Sequence, residues 1–299
     1  MISTNCSNCG KTNHSIKSCD EPITSVGIVC FKLNQSLYNI FIQNLQYISY
    51  YDMNNIVLDN INKFNKYNDN IEFLLVKRRN SLNYIDFIRG KYDIVNKEHI
   101  INMCSYMSKD EIKLIQTKDF TYLWNSLWLK NANKKKYLEE MNLSKIKFNH
   151  LKMTNFFNKI NSIYETTEWE IPKGKKKPNE TNLNCAIREF KEETTINNTD
   201  YTILNCLDPI HDLFIGTNSK PYRHIFYNSI IRPDIDDIEY SNNEIDMVQW
   251  CKWSELNDYI RPYNSNKINI LTSIFLFIIN ICEDNQFKNK TGFNINVDL

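Results

Sequence analysis

The sequence predicts a layered fold of α/β or α+β class, with helices covering a sheet, and three observations carry that expectation. Two apolar, β-branched runs, ITSVGIVCFKLN at 23–34 and IEFLLVKRR at 71–79, read as strands. From residue 166 onward strand-like and helix-like stretches alternate: EWEIP, a glutamate-rich helix, YTILNCL, YRHIFYNSIIR, DMVQWCKW and a last apolar helix. Helices packed on a sheet produce this alternation. At 299 residues the chain is also long enough to bury a sizeable core, as one large domain or two smaller ones.

In chain order, residues 1–20 are small, polar and Cys-rich, and residues 21–34 carry the first strand. Residues 35–70, rich in Asn and Tyr with weak helical periodicity, read as an excursion from the sheet before the strand at 71–79. Residues 80–165 read as a mostly helical insertion. There SKDEIKLIQ opens on a Ser108 cap followed by Asp110 and Glu111, and FTYLWNSLWLK spaces Leu123, Trp124, Leu127 and Trp128 along one face. Residues 166–299 complete the sheet and its cover. The final run, Ile268 to Cys282, is broken by Asn and Thr and is shorter than the ~20 residues that span a bilayer. It reads as a buried helix, and no membrane partner is expected.

A formal charge of +1 gives no global pull toward nucleic acid, so any such reading must rest on local patches. The nine cysteines follow a polar N-terminus without a signal-peptide pattern, which points to free or metal-bound thiols in a reducing compartment. No feature of the sequence sets the oligomeric state.

Cys6, Cys9, His14 and Cys19 stand at C-x2-C-x4-H-x4-C. Three thiolates and an imidazole are a complete tetrahedral set for Zn²⁺, and so short a segment would draw its folding energy from the metal. A disordered tail with chance cysteines is the plainer alternative. The spacing resembles the retroviral-type zinc knuckle, with Gly10 and Lys11 in their usual places and Asn13 where a glycine is frequent. The resemblance implies binding of single-stranded RNA through unpaired bases, although Ser7 and Ser15 stand where that family exposes an aromatic.

On a helical wheel Leu183, Ala186, Ile187 and Phe190 share an apolar face, with Glu189, Glu192 and Glu193 on its flank. Such a cluster is commonly a solvated acidic face, but here it follows Gly174 at a definite spacing. The stretch reads G-x5-E-x7-R-E-F-x-E-E-x-T-I and strongly resembles the box of the Nudix hydrolases. Gly174, Glu180, Arg188, Glu189, Glu192, Glu193 and Ile196 fall in register, while Thr195 replaces the family's glycine. The resemblance implies an α/β/α Nudix sandwich around a mixed sheet, with an inserted helical region and a small N-terminal zinc knuckle. It implies Glu189, Glu192 and Glu193 as ligands of Mg²⁺ or Mn²⁺, hard cations that favour carboxylate oxygen. Arg188 would orient the acids, and Glu180 would support the loop or the metal. Lys173, Gly174 and Lys175 of the KGKKK loop would face the phosphates. A further acid is expected beyond the box, for which Glu244 in N-E-I-x-x-V-x-W competes with Asp246, Asp236 and Asp237.

The box alone does not choose a substrate. Pro-Lys-Gly in WEIPKG occurs in Nudix enzymes of capped RNA and of diphosphoinositols alike. LLVKRRNSLNYIDFIRGKYD at 74–93, with the later LWNSLW, resembles the mRNA-decapping enzymes of large cytoplasmic DNA viruses (the poxvirus, African swine fever virus and mimivirus group), and the likeness covers residues 21–299. That resemblance implies hydrolysis of the mRNA cap pyrophosphate to m7GDP and 5′-monophosphate RNA, in the host cytoplasm, with the virion as a second location. It also makes the insertion an RNA-binding region. Seven lysines against two glutamates from Lys130 to Lys152, including Lys134, Lys135 and Lys136, fit phosphate contacts; a merely solvated helix face fits them too. Trp124 and Trp128 at helical spacing favour a core role over base stacking. For a cationic methylguanine, Tyr222 and Asp212 are the candidate aromatic and acid. A Nudix enzyme for a small nucleotide or diphosphoinositol, and a non-catalytic RNA-binding protein of this fold, are the alternatives.

Overall fold

The computed structural model of the chain describes residues 6–15, 18–53, 67–129, 135–216, 220–235, 238 and 243–283. The chain divides into two compact units, Met1–Val76 with Trp169–Leu299, and Lys77–Glu168.

The first unit is built on the parallel pairing of β1 (Ile23–Leu33) with β7 (Pro221–Ile231), in register from Ile23↔Tyr222 to Phe31↔Ile230. The other edge of β1 is shared. Its first half pairs antiparallel with β4 (Lys173–Lys175) and its second half with β2 (Ile71–Arg78). Gly27 stands at the division, where an added Cβ would lie 2.0 Å from the Pro172 carbonyl oxygen, so only glycine lets the two chains approach. β2 also pairs with β3 (Trp169–Glu170) and β8 (Ile245–Lys252), and β7 with β5 (Tyr201–Ile203) and β6 (Ile210–Ile215). This mixed sheet has eight strands among the described residues.

Both faces of β1 are buried in its middle, which explains the unbroken apolar run from Val26 to Phe31. Val29, Phe31 and Leu33 face α1 (Gln35–Leu45) and α9 (Ser265–Glu283), with Phe41 and Phe277 in edge contact between those helices. Val26, Ile28 and Cys30 share a second core with Cys185, Ala186 and Phe190 of α7 (Asn182–Thr194). The α/β/α sandwich is therefore as the sequence implied, with one difference at 35–45. These residues are not an excursion: α1, capped by Asn34, covers the sheet with Leu37 and Phe41 inward. Residues 54–66 of the supposed excursion lie outside the described residues. A short helix, α8 (Leu256–Tyr259), precedes α9. Pro262–Glu283 is long and apolar enough to cross a membrane by length and composition, but most of it is buried inside the protein. All nine cysteines are free.

The second unit is helical: α2 (Leu82–Ile88), α3 (Lys97–Ser105), α4 (Lys109–Thr117), α5 (Phe120–Trp128) and α6 (Lys135–Met153). Ser108 caps α4 as its sequence predicted, in a reciprocal box with Glu111, whose buried carboxylate also accepts from the Ser81 N–H at 2.6 Å. Trp124 is fully buried beside Phe120, and Trp128 packs against that core. The ends of the unit meet where the Arg78 N–H donates to the Glu168 carbonyl at 3.0 Å.

Candidate active site

Helix α7 begins at Thr181, whose hydroxyl accepts from the Asn184 N–H at 3.1 Å, and ends at Thr195 in the left-handed conformation, φ 63°. The family's glycine at that position has a direct reason: a Cβ there costs about 1 kcal/mol or more. The buried face is Cys185, Ala186, Phe190, Glu193 and Thr194, while Leu183 and Ile187 are only half-buried. The apolar stripe read from the wheel is thus rotated toward Glu193, which is buried against β4, at 8% exposure, rather than solvated on a flank.

Arg188 gathers the remaining acids. Its Nε and Nη2 donate to the two oxygens of Glu180 at 2.7 and 2.8 Å, a bidentate fork. Nη1 donates to Glu189 at 2.6 Å and to Glu192 at 3.0 Å, and Nη2 also reaches the Lys175 carbonyl at 3.0 Å. The guanidinium holds the Glu180 carboxyl down at about 2, and Glu180 in turn pushes Arg188 up. Glu180 also accepts from the Lys177 N–H at 2.8 Å, which pins the lysine-rich loop. Lys177 Nζ donates to Glu192 at 3.2 Å.

Gly174 has its own steric reason. A Cβ there would lie 2.0 Å from the carboxyl carbon of Glu189, so the Glu189 carboxylate rests on bare backbone. Burial pushes the Glu189 carboxyl up, and the charges of Glu192 and Glu244 push the same way against Arg188. On the same strand the Lys173 N–H donates to Glu193 Oε2 at 2.9 Å. The donor set is carboxylate oxygen throughout, with acid charge crowded on half-buried Glu189, and so fits a hard divalent cation.

Glu244 is exposed just before β8 and close enough for its charge to act on Glu189. Asp246 is exposed within β8, whereas Asp236 and Asp237 lie outside the described residues. Lys175 is exposed, but the Lys173 ammonium turns inward onto Glu170. Asp212 sits with His224, 3.4 Å away, and accepts from Asn266 at 3.2 Å; His224 first holds the Asp212 carboxyl down. Tyr222 stacks on Phe214 across β6 and β7, with centroids 5.5 Å apart and planes at 13°. Of the lysines expected to meet RNA, Lys134 and the side chains of Lys135 and Lys136 lie outside the described residues. Lys147 is committed to the Gly90 and Tyr92 carbonyls at 2.7 Å each.

The thiols of Cys6, Cys9 and Cys19 and a ring nitrogen of His14 lie within 4.8 Å of one another, the one such group of potential ligands among the described residues. Gly10 and Asn13 both take left-handed φ, 78° and 69°, so Asn13 does the glycine's work in the turn before His14. The buried side chain of Asn8 joins this segment to the sheet. It donates to Cys19 Sγ at 3.3 Å and to the Pro22 carbonyl at 3.0 Å, and accepts from the Thr24 N–H at 2.8 Å. The Asn8 amide draws the Cys19 thiol down to about 6, toward the thiolate a metal requires.

Sequence reasoning missed β6, Asn8, Glu170 and Lys267. Strand β6 alternates exposed and half-buried residues, and its apolar stretch is only Leu213 to Ile215. Asn8 is invisible because carboxamides are common in this chain, and the Glu170–Lys267 pair spans 97 residues.

Residues 159–272 match the NUDIX domain family. A protein of Acanthamoeba polyphaga mimivirus named for mRNA decapping is 35% identical over 340 residues, covering 92% of this chain and 94% of the relative. The mRNA-decapping protein g5R of African swine fever virus is 32% identical, covering 73% of this chain and 93% of the relative. Among solved structures, C. elegans Ap4A hydrolase aligns over 86% of this chain and 99% of its own, at 14% identity and a TM-score of 0.39.

Proposed function

The chain belongs to the Nudix hydrolase family, and from that premise we propose that it hydrolyses the 5′ cap pyrophosphate of mRNA, releasing m7GDP and a 5′-monophosphate RNA. The observation that carries this reading is the reach of the likeness to viral decapping proteins, which covers 92% of the chain and extends well beyond the hydrolase domain. Glu189, Glu192 and Glu193 hold Mg²⁺ or Mn²⁺ in this reading. Bound there, the cation neutralises the diphosphate and helps activate the attacking water.

Arg188 pairs with Glu180, Glu189 and Glu192 at once, which holds these acids on one side of α7; a bound cation would draw the carboxylates in from Arg188. Glu244, exposed and acting on Glu189, is the acid that takes the proton of the attacking water. Lys175 and its loop neighbours add positive potential for the phosphates. Tyr222 is the cap-stacking candidate. To admit a base between Tyr222 and Phe214 the ring spacing must open from 5.5 Å to about twice the ~3.5 Å contact distance. Asp212, already engaged by His224 and Asn266, then serves that pocket as its buried negative charge. The Cys/His segment holds structural Zn²⁺ and binds single-stranded RNA, and the lysines of the insertion offer separate phosphate contacts. The host cytoplasm is where capped mRNA would be met.

Competition distinguishes the substrates. Labelled capped RNA, free cap dinucleotide, a nucleoside triphosphate and a diphosphoinositol are supplied with Mn²⁺, with and without uncapped RNA. The expected result is cleavage of capped RNA in preference to cap dinucleotide, and inhibition by uncapped RNA. Efficient turnover of a small molecule, indifferent to added RNA, would make the chain a small-molecule Nudix enzyme.

A further inference from the structure

Beside the acids of α7 lies a second charged cluster to which cap hydrolysis assigns no chemical step. Glu170 of β3, Lys173 of β4 and Lys267 of α9 have side-chain exposures of 9%, 11% and 7%. Glu170 Oε1 accepts from Lys267 Nζ at 3.2 Å, and its other oxygen accepts from Lys173 Nζ. Asp212 and His224, at 9% and 11%, form the neighbouring pair, and Asn266, adjacent to Lys267 in α9, donates to Asp212. Two ammoniums thus share the one carboxylate of Glu170, and Asp212 adds a second buried acid beside them.

Buried ions are costly, and a hydrophobic replacement is often as stable, so their retention points to a geometric role. The geometry supplies one. Strand β4 has three residues, and Lys173 begins it. The Lys173 side chain is locked to Glu170, while its backbone N–H donates to Glu193 at 2.9 Å. The first turn of α9 therefore grips β3 through Glu170, and Glu170 grips the residue that holds Glu193. We propose that Lys267, acting with Glu170, is a positioning residue for the hydrolase centre: the clamp sets Lys173, and through its N–H the carboxylate of Glu193. This rests on the reading of Glu193 as a metal ligand.

The test uses the full chain carrying Glu170→Gln, Lys267→Met, both together, Lys267→Arg, and Glu193→Gln as reference. Mn²⁺ affinity is read from the electron paramagnetic resonance of free Mn²⁺, and kcat and KM from capped RNA, with circular dichroism for folding. Each single clamp variant should lower kcat about tenfold or more and weaken Mn²⁺ binding, with KM moved far less. The double variant should be no worse than the worse single, because both residues act through one contact. Lys267→Arg, still able to reach Glu170, should recover most of the loss. Wild-type kcat and Mn²⁺ affinity in Glu170→Gln would overturn the clamp, as would losses that multiply in the double variant. If Lys267→Met does not fold, Glu170→Gln, which keeps the shape of the side chain, and Lys267→Arg decide the matter alone. An inactive Glu193→Gln beside wild-type clamp variants would defeat the clamp only. A fully active Glu193→Gln with unchanged Mn²⁺ affinity would defeat the reading beneath it.

Discussion

Glu192 of α7 and Glu170 of β3 are both held by cations, but under opposite conditions. Glu192 is half exposed, at 50%, and shares Arg188 and Lys177 with its neighbours. Glu170 is 9% exposed and its two lysines are as deeply enclosed. An exposed ion pair is worth only ~0–1 kcal/mol, so Glu192 can exchange its side-chain cations for a metal at small cost. A buried pair broken on one side leaves an uncompensated charge that costs several kcal/mol. Glu192 is placed to change partners and Glu170 to keep them, which separates chemistry from positioning between two residues of the same type.

The largest effect on this contrast should come from Arg188→Ala. It removes the cation shared by Glu180, Glu189 and Glu192, and turnover should fall ~10²-fold or more while the fold persists. Retained turnover would mean that the acids converge without it. Next is Gly174→Ala, whose Cβ would lie 2.0 Å from the Glu189 carboxyl carbon. Displacement of Glu189 should cost about tenfold in kcat with little change in RNA affinity, measured by filter binding.

The buried cluster should instead show itself in stability. Burial holds His224 below its ordinary value, with Asp212, Glu170, Lys173 and Lys267 around it. Below about pH 6.5 the unfolded chain binds a proton that the folded chain refuses. The contribution is therefore intact above that pH and is lost as pH falls from there to the lower folded-state pKa, with a slope of at most ~1.4 kcal/mol per pH unit. Melting curves from pH 7.5 to 5.5 should fall more steeply for wild type than for His224→Asn; parallel curves would remove the burial argument. The smallest effect belongs to the C-terminus of α7. Thr195→Gly should raise stability by ~1 kcal/mol, a few degrees in Tm, with turnover unchanged, because φ 63° strains a β-branched residue and not glycine.

How much of this was legible in the sequence follows from the range of each contact. Arg188, Glu189, Glu192 and Glu193 lie within two turns of one helix, so spacing alone brings them together. Glu180 is eight residues from Arg188 and was reached through the resemblance. The burial of Glu193 was not legible, since it depends on β4 passing beneath α7 and so on the division of the edge of β1 at Gly27. Residues 35–45 misled because polar Asn and Gln dilute a stripe carried mainly by Leu37 and Phe41. The zinc-type ligands announced themselves by spacing, while their attachment through Asn8 to Thr24 is tertiary and left no local sign.

The most direct measurement is release of m7GDP from cap-labelled RNA by wild type and Glu193→Gln, each with and without Mn²⁺, separated by thin-layer chromatography. Labelled m7GDP should appear with wild type and metal, and Glu193→Gln should release it at least ~10²-fold more slowly. Equal release by both proteins, or none by wild type with Mn²⁺ present, would contradict metal-dependent decapping centred on α7.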